Sequence, residues 1–180
     1  LKRMMLELRE ALAKRGLNLH PSKCEIQTNV ENWNLRGNVS ISDNFSVSFL
    51  QEGQPLTVLG TSLALRDVTK HEVRNRIARG WRLFWSLKAM LLKKTSSLKC
   101  RLRLFDSTVG NCVLWCCQSW TPGVEETQLL NTARRAMLRR IVGTMRAPAE
   151  DYVTWVKRTT HKAERLAEGA GVRNWRGAFW

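Results

Sequence analysis

The amino-acid sequence predicts an α+β protein in which an N-terminal helix and a small antiparallel sheet are followed by an all-α helical bundle. Between about residues 33 and 66, apolar residues alternate with polar ones, which is the period of half-buried strands. Elsewhere the apolar residues recur every three or four positions, as they do in amphipathic helices. The charge divides at a similar place. Residues 1–60 carry seven basic and six acidic groups, whereas residues 61–180 carry 23 basic and nine acidic groups, a net of +14.

The first helix is predicted over residues 1–15, and Gly16 follows it as a C-cap glycine. Its apolar stripe consists of Leu1, Met5, Leu8 and Leu12. A short strand is predicted from Cys24 to Val30. The alternating pairs and triplets that predict the other strands are Val39 and Ile41, then Phe45, Val47 and Phe49, then Leu56 and Val58. The sheet is predicted to end at a turn containing Gly60, because glycine permits a sharp bend.

The most basic segment runs from Arg66 to Arg103, with twelve Lys or Arg against Asp67 and Glu72. We predict one helix from Thr69 to Lys94, with an apolar stripe formed by Val73, Ile77, Gly80, Phe84, Leu87 and Leu91. The residues predicted on the opposite side are Asn75, Arg79, Arg82, Ser86, Ala89 and Lys93. A charge run is often only a solvated helix face. Because acids at i,i+4 are nearly missing, however, a polyanionic partner is favoured.

Three further helices complete the predicted bundle. Residues 95–97 form a capping turn, and the segment from Leu104 to Trp120, which includes Trp115, is predicted to be buried all round. The next helix follows residues 121–123, with Glu125 and Glu126 in its first turn. Its predicted stripe consists of Leu130, Ala133, Met137 and Ile141. A last helix is predicted to begin near Pro148.

Composition limits the classes of site and location. No Cys-x-x-Cys pair occurs and the three histidines are scattered, so a zinc site is not predicted. We interpret Cys112, Cys116 and Cys117 as small core hydrophobes of a reduced, intracellular protein, in the nucleus or the cytoplasm. The longest uncharged run, Ser107 to Val124, contains Asn, Gln and Pro, so no membrane span is expected. Because the chain begins at Leu1 inside a helical pattern, we expect a fragment.

Several short motifs follow one another in an order that is typical of one protein family. They are GLNLHPSKCE (residues 16–25), Val58-Leu59-Gly60, Arg76-Ile77 with residues 84–87, Gln118-Ser119-Trp120, and Leu129-Leu130 with Arg134 and residues 138–143. This series resembles the reverse transcriptase of non-LTR (LINE-type) retrotransposons, from just after the active-site hairpin onward. The chain departs from the family at His20, Cys24, Val58 and Gln118, where Asn, Thr, Tyr and Glu are usual.

The resemblance implies three regions: residues 1–65 as the C-terminal part of the palm, residues 66–146 as the helical thumb, and residues 147–180 as the start of a C-terminal connecting region. It implies a fragment of an RNA-directed DNA polymerase whose partners are an RNA template–DNA primer duplex and the missing catalytic half. By the same resemblance, Lys23 would support the departing pyrophosphate, and Val58, Leu59 and Gly60 would form a primer grip. Our candidates for phosphate contacts are Arg74, Arg79, Arg82, Lys88, Lys93 and Lys94.

Catalysis by the chain alone is not expected. Nucleotidyl transfer uses Mg²⁺ held by convergent carboxylates, which in this family precede the first helix seen here. The four aspartates of the chain are isolated in the sequence, so Mg²⁺ is implied only for a complete enzyme and no cofactor is predicted for this chain. Two alternatives remain open: a stand-alone basic helical module that binds RNA or DNA, and a retroelement remnant without function. Trp81 and Trp85 are interpreted as packing residues, with base stacking as the alternative.

Overall fold

A computed structural model describes residues 1–28, 38–51, 54–58, 60–65 and 67–179, with only the backbone at Phe179. The α+β class is confirmed, and helices dominate. Contacts divide the chain into two compact units, Leu1–Val68 and Thr69–Trp180. In the sequence, the first unit has eight basic and seven acidic side chains, and the second has 22 basic and eight acidic ones, a net charge of +14.

The first unit combines one helix with two small sheets. Helix α1 (Lys2–Ala13) precedes strands β1 (Glu25–Ile26), β2 (Asn38–Ser42) and β3 (Phe45–Phe49), which form a sheet in the order β1-β3-β2. Strands β4 (Leu56–Val58) and β5 (Thr61–Leu63) form a separate antiparallel hairpin. A 3₁₀ turn spans Pro21–Lys23.

The predicted antiparallel pairing is present between β2 and β3 and between β4 and β5, whereas β1 adds a parallel pairing. Strand β2 pairs antiparallel with β3, but β1 pairs parallel with it, so that Glu25 lies opposite Ser48. Strand β3 lies in the middle of the sheet, with β2 along one edge and β1 along the other. Strands β1 and β2, which follow one another in the chain, are therefore not neighbours in the sheet. Strand β5 is also an addition, because the predicted sheet ended at Gly60. That glycine has φ +80° in the turn between β4 and β5, a conformation that favours glycine.

The core of the first unit is small. It consists of Ile41, Phe45 and Val47 with five half-buried neighbours: Met5, Leu19, Cys24, Ile26 and Val39. None of the residues of α1 is buried against the described part of the chain. Three apolar side chains of α1, Met4, Leu6 and Leu8, are exposed, and so is its N-cap residue, Leu1. The first unit therefore leaves much of its N-terminal apolar surface in contact with solvent.

The described residues of the second unit form helices joined by turns and loops, without a strand. Its helices are α2 (Val68–Ser86), α3 (Lys88–Leu91), α4 (Leu98–Phe105), α5 (Asn111–Val113), α6 (Val124–Val142) and α7 (Tyr152–Gly169). A π-helical turn, Asp106–Gly110, joins α4 to α5, and 3₁₀ turns span Cys117–Ser119 and Trp175–Phe179. The predicted cap at residues 95–97 is confirmed, because the Ser97 hydroxyl accepts a hydrogen bond from the Cys100 amide.

One large core holds these helices together. The stripe predicted for α6 is confirmed, since Leu130, Ala133, Met137 and Ile141 are all buried. Aromatic rings connect the elements: Phe84 meets Phe105 edge to face, and Phe105 stacks on Trp175 with centroids 6.0 Å apart. The chain after Ala147, predicted as a separate region, contributes Ala163, Ala167 and Trp175 to this same core.

Two helix predictions are wrong. The basic helix does not continue from Thr69 to Lys94, because α2 ends at Ser86 and Leu87 (φ −92°, ψ 9°) separates it from α3. The segment around Trp115 is not buried all round, since this indole is 55% exposed. The helix there is interrupted by the π turn and by Cys116 at φ +58°, so the periodicity of one regular helix does not apply.

Gly80 marks the closest approach in the core. A Cβ built on Gly80 would collide with Val113 Cγ2, which lies on α5. We expect Gly80→Ala to lower the free energy of unfolding by about 1–3 kcal/mol, because overpacking outweighs the gain of about 1 kcal/mol in helix propensity. Urea denaturation measures the change. A more stable Gly80→Ala variant would contradict this packing.

The matched control is Gly169→Ala at the end of α7, where a Cβ would meet nothing within 4 Å. This variant should be neutral or slightly stabilising. Adding Val113→Ala to Gly80→Ala should return part of the lost stability, since it removes the methyl group that clashes.

Candidate nucleic-acid interface

Of the eleven basic side chains that the structure describes in the Arg66–Arg103 segment, two belong to the interior. Arg76 forms a buried ion pair with Glu72, one turn earlier on α2. Arg101 is 7% exposed, and its Nη1 donates to the carbonyls of Leu91 at 3.2 Å and Ile141 at 2.9 Å. These carbonyls lie in the last turns of α3 and α6, where backbone acceptors lack intrahelical donors. Arg101 therefore joins α3 and α6, Arg76 is paired within α2, and neither buried side chain is available to a polyanion.

A second group of arginines fixes the end of the chain. Arg134 Nε donates to the carbonyl of Arg173 at 3.0 Å, and burial lowers the pKa of the Arg134 guanidinium, with Glu164 and Asp106 opposing the shift. Arg173 in turn binds the Asp106 carboxylate at 3.0 Å and the side-chain oxygen of Asn111 at 2.6 Å. These bonds attach the C-terminal segment to the π-helical turn.

The six predicted phosphate-binding residues lie along α2, α3 and the turn after it. Five are exposed: Arg74, Arg82, Lys88, Lys93 and Lys94. Arg79 is half-buried and has a partner within the protein. Because the predicted single helix is interrupted at Leu87, these side chains do not share one straight helix face. Instead, α2 contributes the first three of the six, α3 contributes Lys88, and the following turn contributes the two remaining lysines.

The positive surface is not uniform along α2. Glu125, in the first turn of α6, lies 3.0 Å from Lys70 Nζ and 4.0 Å from Arg74. This carboxylate reduces the positive charge at the N-terminal end of α2. The only acid of the sequence between Val68 and Arg103 is Glu72, which is buried. The uncompensated positive charge is therefore greatest from Arg82 onward.

An aromatic and cationic cluster lies beside this positive surface. Trp81 and Trp85 stack at 6.2 Å between ring centroids, and the Arg140 guanidinium carbon of α6 lies 5.0 Å and 5.9 Å from these two centroids. Trp85 is 46% exposed. The i,i+4 spacing of the two tryptophans was visible in the sequence, but the sequence did not indicate that Arg140 would join them.

Next to this cluster is a cleft of about 350 Å³ between α6 and α7. Its lining includes Arg139, Arg140, Thr144, Tyr152 and Trp155. Trp155 Nε1 donates to the carbonyl of Thr144 at 3.3 Å, and the Tyr152 and Trp155 rings lie 5.7 Å apart. The sequence-based interpretation missed this cleft, because its walls come from two helices separated by a loop.

Acidic groups near the cleft are already engaged. Glu150 forms an ion pair with Arg158 at 2.7 Å, and this hydrogen bond lowers the pKa of the Glu150 carboxyl. Asp151 caps α7, accepting hydrogen bonds from the amides of Val153 and Thr154. Arg158 thus offsets the negative charge of Glu150, and the start of α7 partly offsets that of Asp151.

The candidate residues of the first unit occupy separate positions in it. Lys23 is exposed at the end of the 3₁₀ turn, and Val58 is exposed at the end of β4. Gly60 lies in the hairpin turn. Leu59, the central residue of the predicted primer grip, lies outside the described residues, as does Arg66, the predicted domain boundary.

Of the three cysteines interpreted as small core residues, one is buried. Cys117 is buried, and burial raises the pKa of its thiol, while Cys112 and Cys116 are half-buried. All five cysteines are free. Within the described residues, no three or more His, Cys, Asp or Glu side chains form a group suited to a metal ion. Of the helices described, none has the length and apolarity needed to cross a membrane.

No protein family, curated protein or solved structure matches the chain. The resemblance to a LINE-type reverse transcriptase therefore rests on the sequence motifs alone and stays a prediction.

Arg101 and Lys99 lie two positions apart on α4, the first buried and the second exposed. Variants at the two positions distinguish a charge that stabilises the fold from one that lies at the surface. Arg101→Met should lower the free energy of unfolding by roughly 2–3 kcal/mol, because it removes charged donors from two helix-end carbonyls. Lys99→Met removes the same charge from an exposed site and should change stability by less than about 0.5 kcal/mol. Equal losses in urea denaturation would show that Arg101 does not hold α3 to α6.

Proposed function

We propose that the chain binds a nucleic-acid duplex through phosphate contacts made by the exposed basic residues of α2, α3 and the following turn. The observation that carries the proposal is the charge of this surface. From Arg82 to Lys94 the sequence has four basic residues and no acid, and all four are exposed: Arg82, Lys88, Lys93 and Lys94. Phosphate neutralisation by such side chains gives affinity without sequence preference.

The buried arginines sharpen this proposal. Because Arg76 and Arg101 have their own partners inside the second unit, the positive surface consists of fewer side chains than the sequence count suggests. The exposed basic residues from Arg82 to Lys94 have no acid in their own segment to offset the mutual repulsion of their like charges. A phosphate backbone would relieve this repulsion, which is a reason for affinity beyond simple attraction.

The sequence motifs supply the kind of duplex. By its resemblance to a LINE-type reverse transcriptase, the chain would be the end of the palm and the thumb, and the duplex would be an RNA template paired with a DNA primer. The apolar residues exposed on α1 support the further proposal that the first unit packs against a missing catalytic half. In this proposal the protein works inside the cell, where its nucleic-acid partner is found.

Salt dependence tests the phosphate contacts. We expect the affinity for an RNA–DNA hybrid to fall by about 10³ between 50 and 200 mM salt if about six phosphates are neutralised. Replacing Arg82, Lys93 and Lys94 together by Ala should make the slope of log K against log salt shallower by up to about three. Fluorescence anisotropy with labelled duplexes of unrelated sequences measures both effects.

The matched control replaces three exposed basic residues of α7, Lys157, Lys162 and Arg165, by Ala. It removes the same charge from another helix and should leave most of the slope intact. A flat slope in the unmutated protein, or equal effects of the two triple variants, would refute the proposed interface.

A further inference from the structure

The cleft between α6 and α7 combines features that suit one class of ligand. Its volume of about 350 Å³ lies at the lower end of the range of about 300–1,000 Å³ for small-molecule sites. Tyr152 is 61% exposed at the edge of the cleft, so its ring offers a face to a planar group. Arg139 and Arg140 supply positive charge on the α6 side. Aromatic rings beside guanidinium groups favour a base attached to a phosphate.

The two arginines are held in place by the protein. Arg139 Nη1 donates to the hydroxyl of Thr160 at 2.9 Å, and Arg140 Nη1 donates to the carbonyl of Ala136 at 3.1 Å. Arg140 is also held over the rings of Trp81 and Trp85. A guanidinium has five N–H donors, and one in direct contact with an aromatic face keeps its edge available for phosphate oxygens. Little side-chain freedom is then lost when an anion binds.

Building on the duplex binding proposed above, we propose that this cleft holds an unpaired nucleotide of the same nucleic acid, with its base on the Tyr152 ring and its phosphate at Arg140. Stacking on an aromatic ring does not depend on the identity of the base, because every base has a π face. The contact would therefore recognise a single-stranded extension by its lack of pairing and not by its sequence.

A strand is favoured over a free nucleotide by the position of Arg140. This side chain lines the cleft and also contacts Trp81 and Trp85, which lie beside Arg82 on the basic helix. Arg140 thus connects the cleft to α2, the helix that carries Arg82. We expect a strand that leaves the duplex there to reach the aromatic residues of α7 by way of Arg140.

The test compares the affinity of a blunt RNA–DNA hybrid with that of the same hybrid extended by about five unpaired nucleotides on one strand, in each polarity. We expect one of the extended duplexes to bind the unmutated protein at least about five-fold more tightly than the blunt one. Tyr152→Ala should remove this gain and leave the affinity for the blunt duplex unchanged. Tyr152→Phe should keep the gain, because the ring is retained.

Trp115→Ala is the matched control, since this indole is also exposed but lies away from the cleft lining. It should keep the full gain. Absence of any gain in the unmutated protein, or a gain that survives Tyr152→Ala, would overturn the cleft assignment, even where the blunt duplex binds. Tighter competition by adenosine monophosphate than by the unpaired strand would assign the cleft to a free nucleotide and would also overturn it. Failure of every duplex to bind, by contrast, would refute the proposed function itself.

Discussion

The constraint that shapes the second unit is its shortage of carboxylates. Eight acids accompany 22 basic residues there. Five of the acids form ion pairs with Lys or Arg: Glu72, Asp106, Glu125, Glu150 and Glu164. Two others serve helix starts, since Glu126 and Asp151 accept hydrogen bonds from backbone amides. Further guanidinium groups must therefore find other acceptors or remain in solvent.

Backbone carbonyls at helix ends are the acceptors for two arginines, Arg101 and Arg103. Arg101 binds carbonyls in the last turns of α3 and α6, and Arg103 Nε donates to the carbonyl of Ala170, directly after α7. The negative end of a helix dipole favours such cations. Since these contacts also join elements distant in the chain, part of the positive charge stabilises the fold. Four of the remaining cations are exposed and belong to the acid-free segment from Arg82 to Lys94.

Local patterns predicted the helices well and their interruptions poorly. The stripe of α6 follows from periodicity alone, and Ser97 has the right chemistry for a cap. The break at Leu87 was not predictable in this way, because leucine favours a helix and the end of α3 is bound from afar by Arg101. The parallel pairing of β1 likewise depends on a strand some twenty residues later. For the candidate site, the sequence was sufficient to identify the basic segment. It did not indicate that Arg76, one member of that segment, would be buried in an ion pair with Glu72.

The contacts of Arg140 in the candidate site could not be predicted from sequence patterns. On α6 it is one of several arginines, with nothing in its spacing to distinguish it from Arg135 or Arg139. Its role arises because the packing of α6 brings it within 6 Å of two tryptophans of α2 and places it in the wall of a cleft with α7. One side chain thus connects the basic helix to the exposed aromatic residues. Substitution of Arg140 would disturb both surfaces at once, and for this reason Tyr152, which lines only the cleft, separates their contributions more cleanly.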